Sequence, residues 1–453
     1  MSTFTIPAHS VPSETYDVVV AGGGPAGSAA AISAARAGAR TLLIEAGSCL
    51  GGSGTAALVP AWCPVSDGRR PLLGGIGAEV MRRARQGMDH LNPTQIDWVP
   101  IDAERLKRTY DAMAAEAGVT VRFHTVAGRV ITDPVAGKAG RVTALVLASK
   151  RGLTAVEAGV FIDCTADADL ATWAGAPVEQ PGEPMPATMC FTLANVDTAA
   201  YKAGPFLHGS NPTSPIHQIV KDPRFPLIPD VHLCSDVSGP GTVGFNAGHL
   251  FKIDATDPAS VSRALADGRR MAAQYQEALA AYHPAFAKAH LATTGAQLGQ
   301  RESRRIVGEY VLTLADYLAR RSFPDEIARN AYFIDVHWAD KAAAQDPASF
   351  EKWERANARY QPGESHGIPY RCLIPRGLSN LLVAGRSIST DRPVQGSVRI
   401  MPVCLAIGEA AGWAAAHASR SGADVRRVPI GDLQDHLRKA GHVLEPTSAA
   451  LAG

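Results

Sequence analysis

The stretch Tyr16 to Glu45, YDVVVAGGGPAGSAAAISAARAGARTLLIE, constrains this chain more than any other. Tyr16 to Ala21 is a short apolar run with β-branched residues and reads as a buried strand. Gly22, Gly24 and Gly27 follow at G-x-G-x-x-G spacing, with Pro25 and Ala26 opening an alanine-rich helical stretch that Gly38 stops. Thr41 to Ile44 reads as a second strand, ending in Glu45 and Ala46. The first glycine permits a tight turn, the second lets the backbone approach a pyrophosphate, and the third lets helix and strand pack closely. Phosphates would sit on the N–H groups and positive dipole end of the new helix. Glu45 stands where an acid accepts hydrogen bonds from an adenosine ribose. A carboxylate there repels a 2′-phosphate, which favours FAD or NAD over NADP. The bland alternative is an Ala/Gly-rich βαβ unit that binds no nucleotide, but the whole context that the fingerprint requires is present.

A chain of 453 residues is expected to form two or three domains. Its net charge of +1 gives no reason to expect nucleic acid or an anionic membrane as partner. No uncharged apolar run reaches the roughly 18 residues of a transmembrane candidate, and residues 1–15 lack the basic and apolar regions of a secretory signal. The seven cysteines are scattered without C-x-x-C spacing, and the 14 histidines show no metal spacing. A cytoplasmic protein with no disulfide framework and no metal is therefore expected, acting on a small molecule. Homo-oligomerisation is left open.

Along the chain, a Gly/Ser-rich loop with Gly52, Ser53 and Thr55 could bring backbone amides to a cofactor. Val130–Thr132 and Arg141–Ser149 read as a hairpin. The strand Ala158–Asp163 runs into CTADADL, a second strand-loop-helix. A further G-x-G-x-x-G at Gly239, Gly241 and Gly244 precedes strand residues, so it reads as a hairpin and not a second nucleotide site. The run QRESRR, if helical, puts Arg301 and Arg304 or Arg305 on one face, suited to a carboxylate or phosphate or to salt bridges at a domain face. The helix from Val403 would aim its N-terminus at a flavin. The expected organisation is a flexible leader over 1–15, a cofactor domain over 16–65, 103–177 and 375–420, a substrate domain over 66–102 and 178–374, and a C-terminal helix and tail over 421–453.

GGGPAG with Glu45, the GGSGT loop, DCTADADLATWAGA, and LLVAGRSIS followed by GSVRIMPVCLAIGEAAG together resemble the FAD-dependent oxidoreductases of the glutathione-reductase-like Rossmann superfamily, in a broad bacterial branch. The resemblance implies an α/β fold: a Rossmann-type FAD domain assembled from discontinuous segments, with an inserted α+β substrate domain containing a β-sheet. It implies non-covalent FAD, with Gly22, Gly24 and Gly27 at the pyrophosphate and Glu45 at the ribose. Gly52 and Thr55 would approach the centre of FAD. Val126 or Ala127 would meet the adenine side, and Thr165 and Asp169 the adenosine half. Gly385 and Arg386 would reach the second pyrophosphate face, and Val398, Arg399 and Met401 the isoalloxazine. Ala166 stands where relatives commonly carry glycine.

The expected reaction is hydride transfer between a small polar organic substrate, with an anionic one left open, and flavin N5. Arg301 and Arg304 are candidates for the anionic group, His337 or His366 for the acid/base, and Tyr370 with Arg371 for the flavin's vicinity. The rivals are a flavin monooxygenase or an oxygen-using oxidase and, further off, a non-enzymatic FAD-bearing sensor.

Overall fold

A computed structural model describes residues 10–133, 140–337 and 359–446. β1 (Ser13–Ala21) begins three residues' reach before Tyr16 and pairs in parallel with β2 (Thr41–Ile44), which pairs in parallel with β3 (Thr120–Arg122). On its other edge β1 lies parallel to β6 (Gly152–Asp163). The outer edge of β6 is divided. Its first half pairs antiparallel with β5 (Arg141–Ser149), and its second half pairs in parallel with β15 (Leu381–Val383). β4 (Val126–Asp133) completes the hairpin with β5, whose turn falls mostly outside the described residues. The result is a Rossmann-type sheet in which residues from both ends of the chain share one strand.

The face of this sheet is covered by α1 (Pro25–Arg36) and α7 (Met401–Ser421). Alanine, glycine and serine let the two helices approach closely. A Cβ added to Gly408 would lie 2.2 Å from the Ala26 carbonyl oxygen, and one added to Gly412 would lie 2.1 Å from that of Ala30. α7 is consequently buried on almost every side. α2 (Gly75–Ala84) and α3 (Ala103–Glu116) extend the same core through Ile76, Val80, Leu106 and Tyr110. On the opposite face, α4 (Asp169–Trp173) contributes Leu170 and Ala171 to a second core with Val19, Phe161 and Leu381. No single helix among the described residues is long and apolar enough to cross a membrane. The pair formed by α6 (Arg392–Val398) and α7 would qualify by composition, but it is bent by 91° and packed inside the fold.

The inserted part carries a second, antiparallel sheet in the order β11-β8-β10-β9, formed by β8 (Phe191–Ala194), β9 (Leu233–Gly239), β10 (Thr242–Ala247) and β11 (His290–Thr294). Gly239 and Gly241 sit at the turn between β9 and β10, so the second G-x-G-x-x-G is a hairpin. α5 (Pro258–Tyr282) backs this sheet. The Phe191 and Phe245 rings stack at 5.0 Å and join Tyr275 and Phe286 in the core. Burying side chains of this size contributes roughly 1.5–3 kcal/mol each.

Two short ladders lie outside both sheets. β7 (Val178–Glu179) pairs with β12 (Arg305–Ile306), and β13 (Glu326–Asn330) pairs with β14 (His366–Pro369). The run QRESRR is not helical, which corrects the shared face expected for its arginines. Glu302 is fully buried and receives the Met185 N–H at 2.9 Å together with Arg305 and Arg392. That buried anchor holds the segment extended, and an extended chain sends alternate side chains to opposite sides.

Candidate active site

Four segments converge at the start of α1. Gly22 has φ +97°, and a Cβ on it would lie 2.3 Å from the Cys164 carbonyl oxygen. A Cβ on Gly27 would lie 1.8 Å from the Gly22 carbonyl oxygen, so the turn and the helix share contact distance. Gly24 is different: nothing lies within 4 Å of where its Cβ would be. It caps α1 without any side-chain hydrogen bond, followed by Pro25, so the first-turn N–H groups have no side-chain acceptor. Gly52 approaches Gly24, with 3.0 Å between its added Cβ and the Gly24 Cα. A Cβ on Gly54 would lie 3.2 Å from the Met401 sulfur, and one on Gly385 (φ +104°) would lie 3.5 Å from the Ala26 methyl. The loop from Gly52 to Thr55, the end of β15 and the start of α7 therefore meet the fingerprint turn. α7 also starts without a side-chain cap.

Glu45 ends β2 and accepts the N–H groups of Gly23 at 2.7 Å and Gly47 at 2.6 Å. Ala46 follows it, and Thr125, just before Val126 and Ala127, donates its N–H to the Glu45 carbonyl at 3.1 Å. Thr55 donates its hydroxyl to the Leu50 carbonyl at 2.6 Å, and Ser53 lies in the intervening turn. In the second strand-loop-helix, buried Asp163 accepts the Thr165 hydroxyl at 2.7 Å and the Ala171 N–H at 3.0 Å. Thr165 in turn receives the Asp169 N–H at 3.0 Å. Ala166 has φ +71°, in the region that glycine favours. Arg386 donates to Asp167 at 2.7 Å, and Arg304 pairs with Asp169. Burial and the neighbouring Asp163 and Asp167 push the Asp169 carboxyl up to about 6. Buried polar atoms without partners lie along the C-terminal segments: Arg386 Nε, Ser387 Oγ, Gln395 Oε1 and Arg399 Nε. Open space at Gly24, two uncapped helix starts and these unmatched atoms fit a long cofactor with a pyrophosphate centre.

A second constellation lies between the inserted sheet and α6. Arg301 donates to the Pro186 carbonyl and to Thr188 Oγ1, both at 2.8 Å, and to His232 Nε2 at 3.3 Å. His249 Nδ1 is 2.9 Å from Asp230, and its Nε2 is 2.8 Å from His337 Nδ1. His337 Nε2 is 3.3 Å from Asp335, which accepts Arg399 at 2.8 Å. The His232 and His249 rings stack at 4.2 Å. Burial, reinforced by Arg301, pushes the His337 imidazole down to about 3, and burial with the neighbouring His249 holds His232 well below its usual range. Burial and the nearby Arg399 lower Arg301 to about 10. Burial alone would raise Asp335, but His337 and Arg399 hold its carboxyl far below the usual range.

Arg301, His337 and Arg399 thus come together. Arg304 instead faces the Asp163 turn. His366 lies on β14 beside Tyr360, with its Nδ1 3.0 Å from the Tyr360 hydroxyl. Tyr370 donates to the Val425 carbonyl at 3.0 Å, and Arg371 pairs with Asp325 at 2.8 Å. Val398 is fully buried at the end of α6. Asp230, His232, His249 and Asp335 are the residues that the sequence reading did not single out. One signal was present: His232 and His249 flank the β9–β10 hairpin, which must bring its two ends together.

A family model described as "FAD dependent oxidoreductase" matches residues 17–437. No curated protein matches the sequence. Among solved structures, a geranylgeranyl bacteriochlorophyll reductase-like protein from Thermoplasma acidophilum is similar at 15% identity and a TM-score of 0.46, covering 95% of this chain and 85% of that one. A p-nitrophenol 4-monooxygenase from Pseudomonas putida is similar at 13% identity and a TM-score of 0.44, covering 96% and 88%.

Proposed function

We propose, from the premise that this chain belongs to the FAD-dependent oxidoreductase family and uses FAD as its cofactor, that it exchanges a hydride with a small organic anion. The observation that carries this reading is the buried group of Arg301, three histidines and Arg399, joined to the segment that leads into α7. FAD supplies the two-electron chemistry. The turn at Gly22–Gly27 and the two uncapped helix starts would hold the pyrophosphate and the ring, and Glu45 would meet the ribose. The GGSGT loop carries no histidine, so a non-covalent site is expected. Arg301 and Arg399 hold the substrate's negative charge in a desolvated place, where an ion pair is strong. His337, paired with His249, exchanges a proton with the bound substrate as the hydride moves.

The test is an anaerobic screen of small hydroxy, amino and unsaturated acids for bleaching of the flavin. Arg301→Ala is expected to lower kcat/KM on the order of 100-fold for the acid that works, since it leaves a buried charge unmatched. An unchanged value removes Arg301 from the site. Bleaching by no acid overturns the reading. Peroxide formed when air is readmitted assigns the oxidase form, and bleaching by NADH alone favours the monooxygenase alternative.

A further inference from the structure

We infer that Asp230, His249, His337 and Asp335 form a store for one proton, filled when a monoanion binds beside Arg301. The inference rests on hydrogen counting. Ionised carboxylates only accept. His249 Nδ1 faces Asp230 and His337 Nε2 faces Asp335, so both of these nitrogens must donate. The contact between the rings, 2.8 Å from His249 Nε2 to His337 Nδ1, needs one hydrogen more. Three contacts need three hydrogens, and two neutral imidazoles carry two. A neutral pair leaves one contact with lone pair against lone pair. One added proton completes all three.

Charge decides when that proton arrives. The ionisable groups around the pair are Asp230, Asp335, Arg301, Arg399 and His232, with Tyr332, whose hydroxyl donates to Asp335 at 3.3 Å, and Cys234, both kept neutral by burial. Two carboxylates and two guanidinium groups cancel while the histidines are neutral. Burial and Arg301 keep His337 unprotonated in that state. A proton alone would leave a buried positive charge. A monoanion entering with it restores neutrality, so each favours the other.

The third ring supplies the anion's contact. An arginine cannot accept a hydrogen bond, so Arg301 fixes His232 Nε2 as the acceptor and places the hydrogen on Nδ1. That Nδ1 is buried and has no partner. It is an unmet donor, as is Arg399 Nε. The same assignment argues against a cation, although one nitrogen from each of the three rings lies within 4.8 Å of the others. With Nε2 occupied by Arg301 and Nδ1 protonated, His232 offers no free lone pair to a metal.

The identity of the monoanion as substrate rests on the reading under Proposed function; the coupling does not. The experiment uses the FAD-loaded protein with acetate, glycolate and nitrate as probes. Binding is followed by the flavin absorption band, and protons by an indicator dye in weakly buffered solution. The expected result is uptake approaching one proton per bound anion, with Kd rising up to tenfold per pH unit across the window between the free and bound pKa values. His249→Gln and His337→Gln are each expected to abolish the uptake. If either variant loses the fold, ¹⁵N-histidine spectra of the unaltered protein serve instead, with one imidazolium signal appearing on addition of glycolate. Binding with no proton uptake and a pH-independent Kd overturns the inference, as does binding of none of the probes. Purification with one tightly held divalent metal per chain also overturns it. Coupled uptake in a protein whose flavin no acid reduces leaves the inference standing and removes the functional reading.

Discussion

Ala166 and Ala168 hold φ values of +71° and +54° in the loop between β6 and α4. A β-carbon in this region costs about 1–2 kcal/mol, partly offset by the greater chain entropy that glycine loses on folding. Ala166→Gly should therefore stabilise the protein by about 0.5–1 kcal/mol, read as a higher thermal midpoint; a lower midpoint contradicts the strain. Gly24 makes the converse case, because a side chain there meets open space and not protein. Gly24→Val is expected to keep the circular dichroism of the parent while losing most of its flavin, on the order of tenfold in bound FAD per chain. His366 gives a pH prediction. Burial and Arg329 push its imidazole down to about 3. A depressed histidine contributes stability above its unfolded value near 6.5 and loses it as the pH falls toward 3. The loss is about 1.4 kcal/mol per pH unit in that window. Urea midpoints compared from pH 7 to pH 5 should fall less steeply for His366→Gln than for the parent; equal slopes contradict a buried neutral histidine.

At the scale of elements, the α1–α7 contact is the most demanding. Gly408 and Gly412 lie against carbonyl oxygens of the facing helix, which cannot move aside as a flexible side chain would. Gly412→Leu should cost about 3 kcal/mol or more and yield insoluble or flavin-free protein. A soluble variant with full flavin content would show that the helices can separate. The β1–α1–β2 unit was legible in the sequence because each requirement is local: Gly22 for a positive φ, Gly27 for close packing, Pro25 for the first turn. The segment Gln300–Arg305 was not. Its charges have helical spacing, but its conformation is set by Glu302 reaching the Met185 N–H and Arg392, both from elsewhere in the chain. No local pattern carries that information.

For the whole molecule, the same distinction separates the two halves of the site. The cofactor side is written in glycines, whose role survives without knowledge of the fold. The substrate side is assembled from residues 230–232, 249, 301, 335–337 and 399, on segments that become neighbours only when the inserted sheet docks beside α6. His337 could be named from its chemistry, but its partner His249, and Asp230 behind that ring, could not, because no spacing links either to residue 337. The divided edge of β6 carries one further consequence. Half of that edge, and the helix that covers α1, come from residues beyond 380. At ribosomal speeds of about 5–20 residues per second, on the order of tens of seconds separate the synthesis of the fingerprint turn from that of its covering helix. Throughout that interval the nascent chain presents an apolar, alanine-lined face with nothing to cover it. Chaperone demand during translation, and rapid proteolysis of any product truncated before β15, follow from strand order alone.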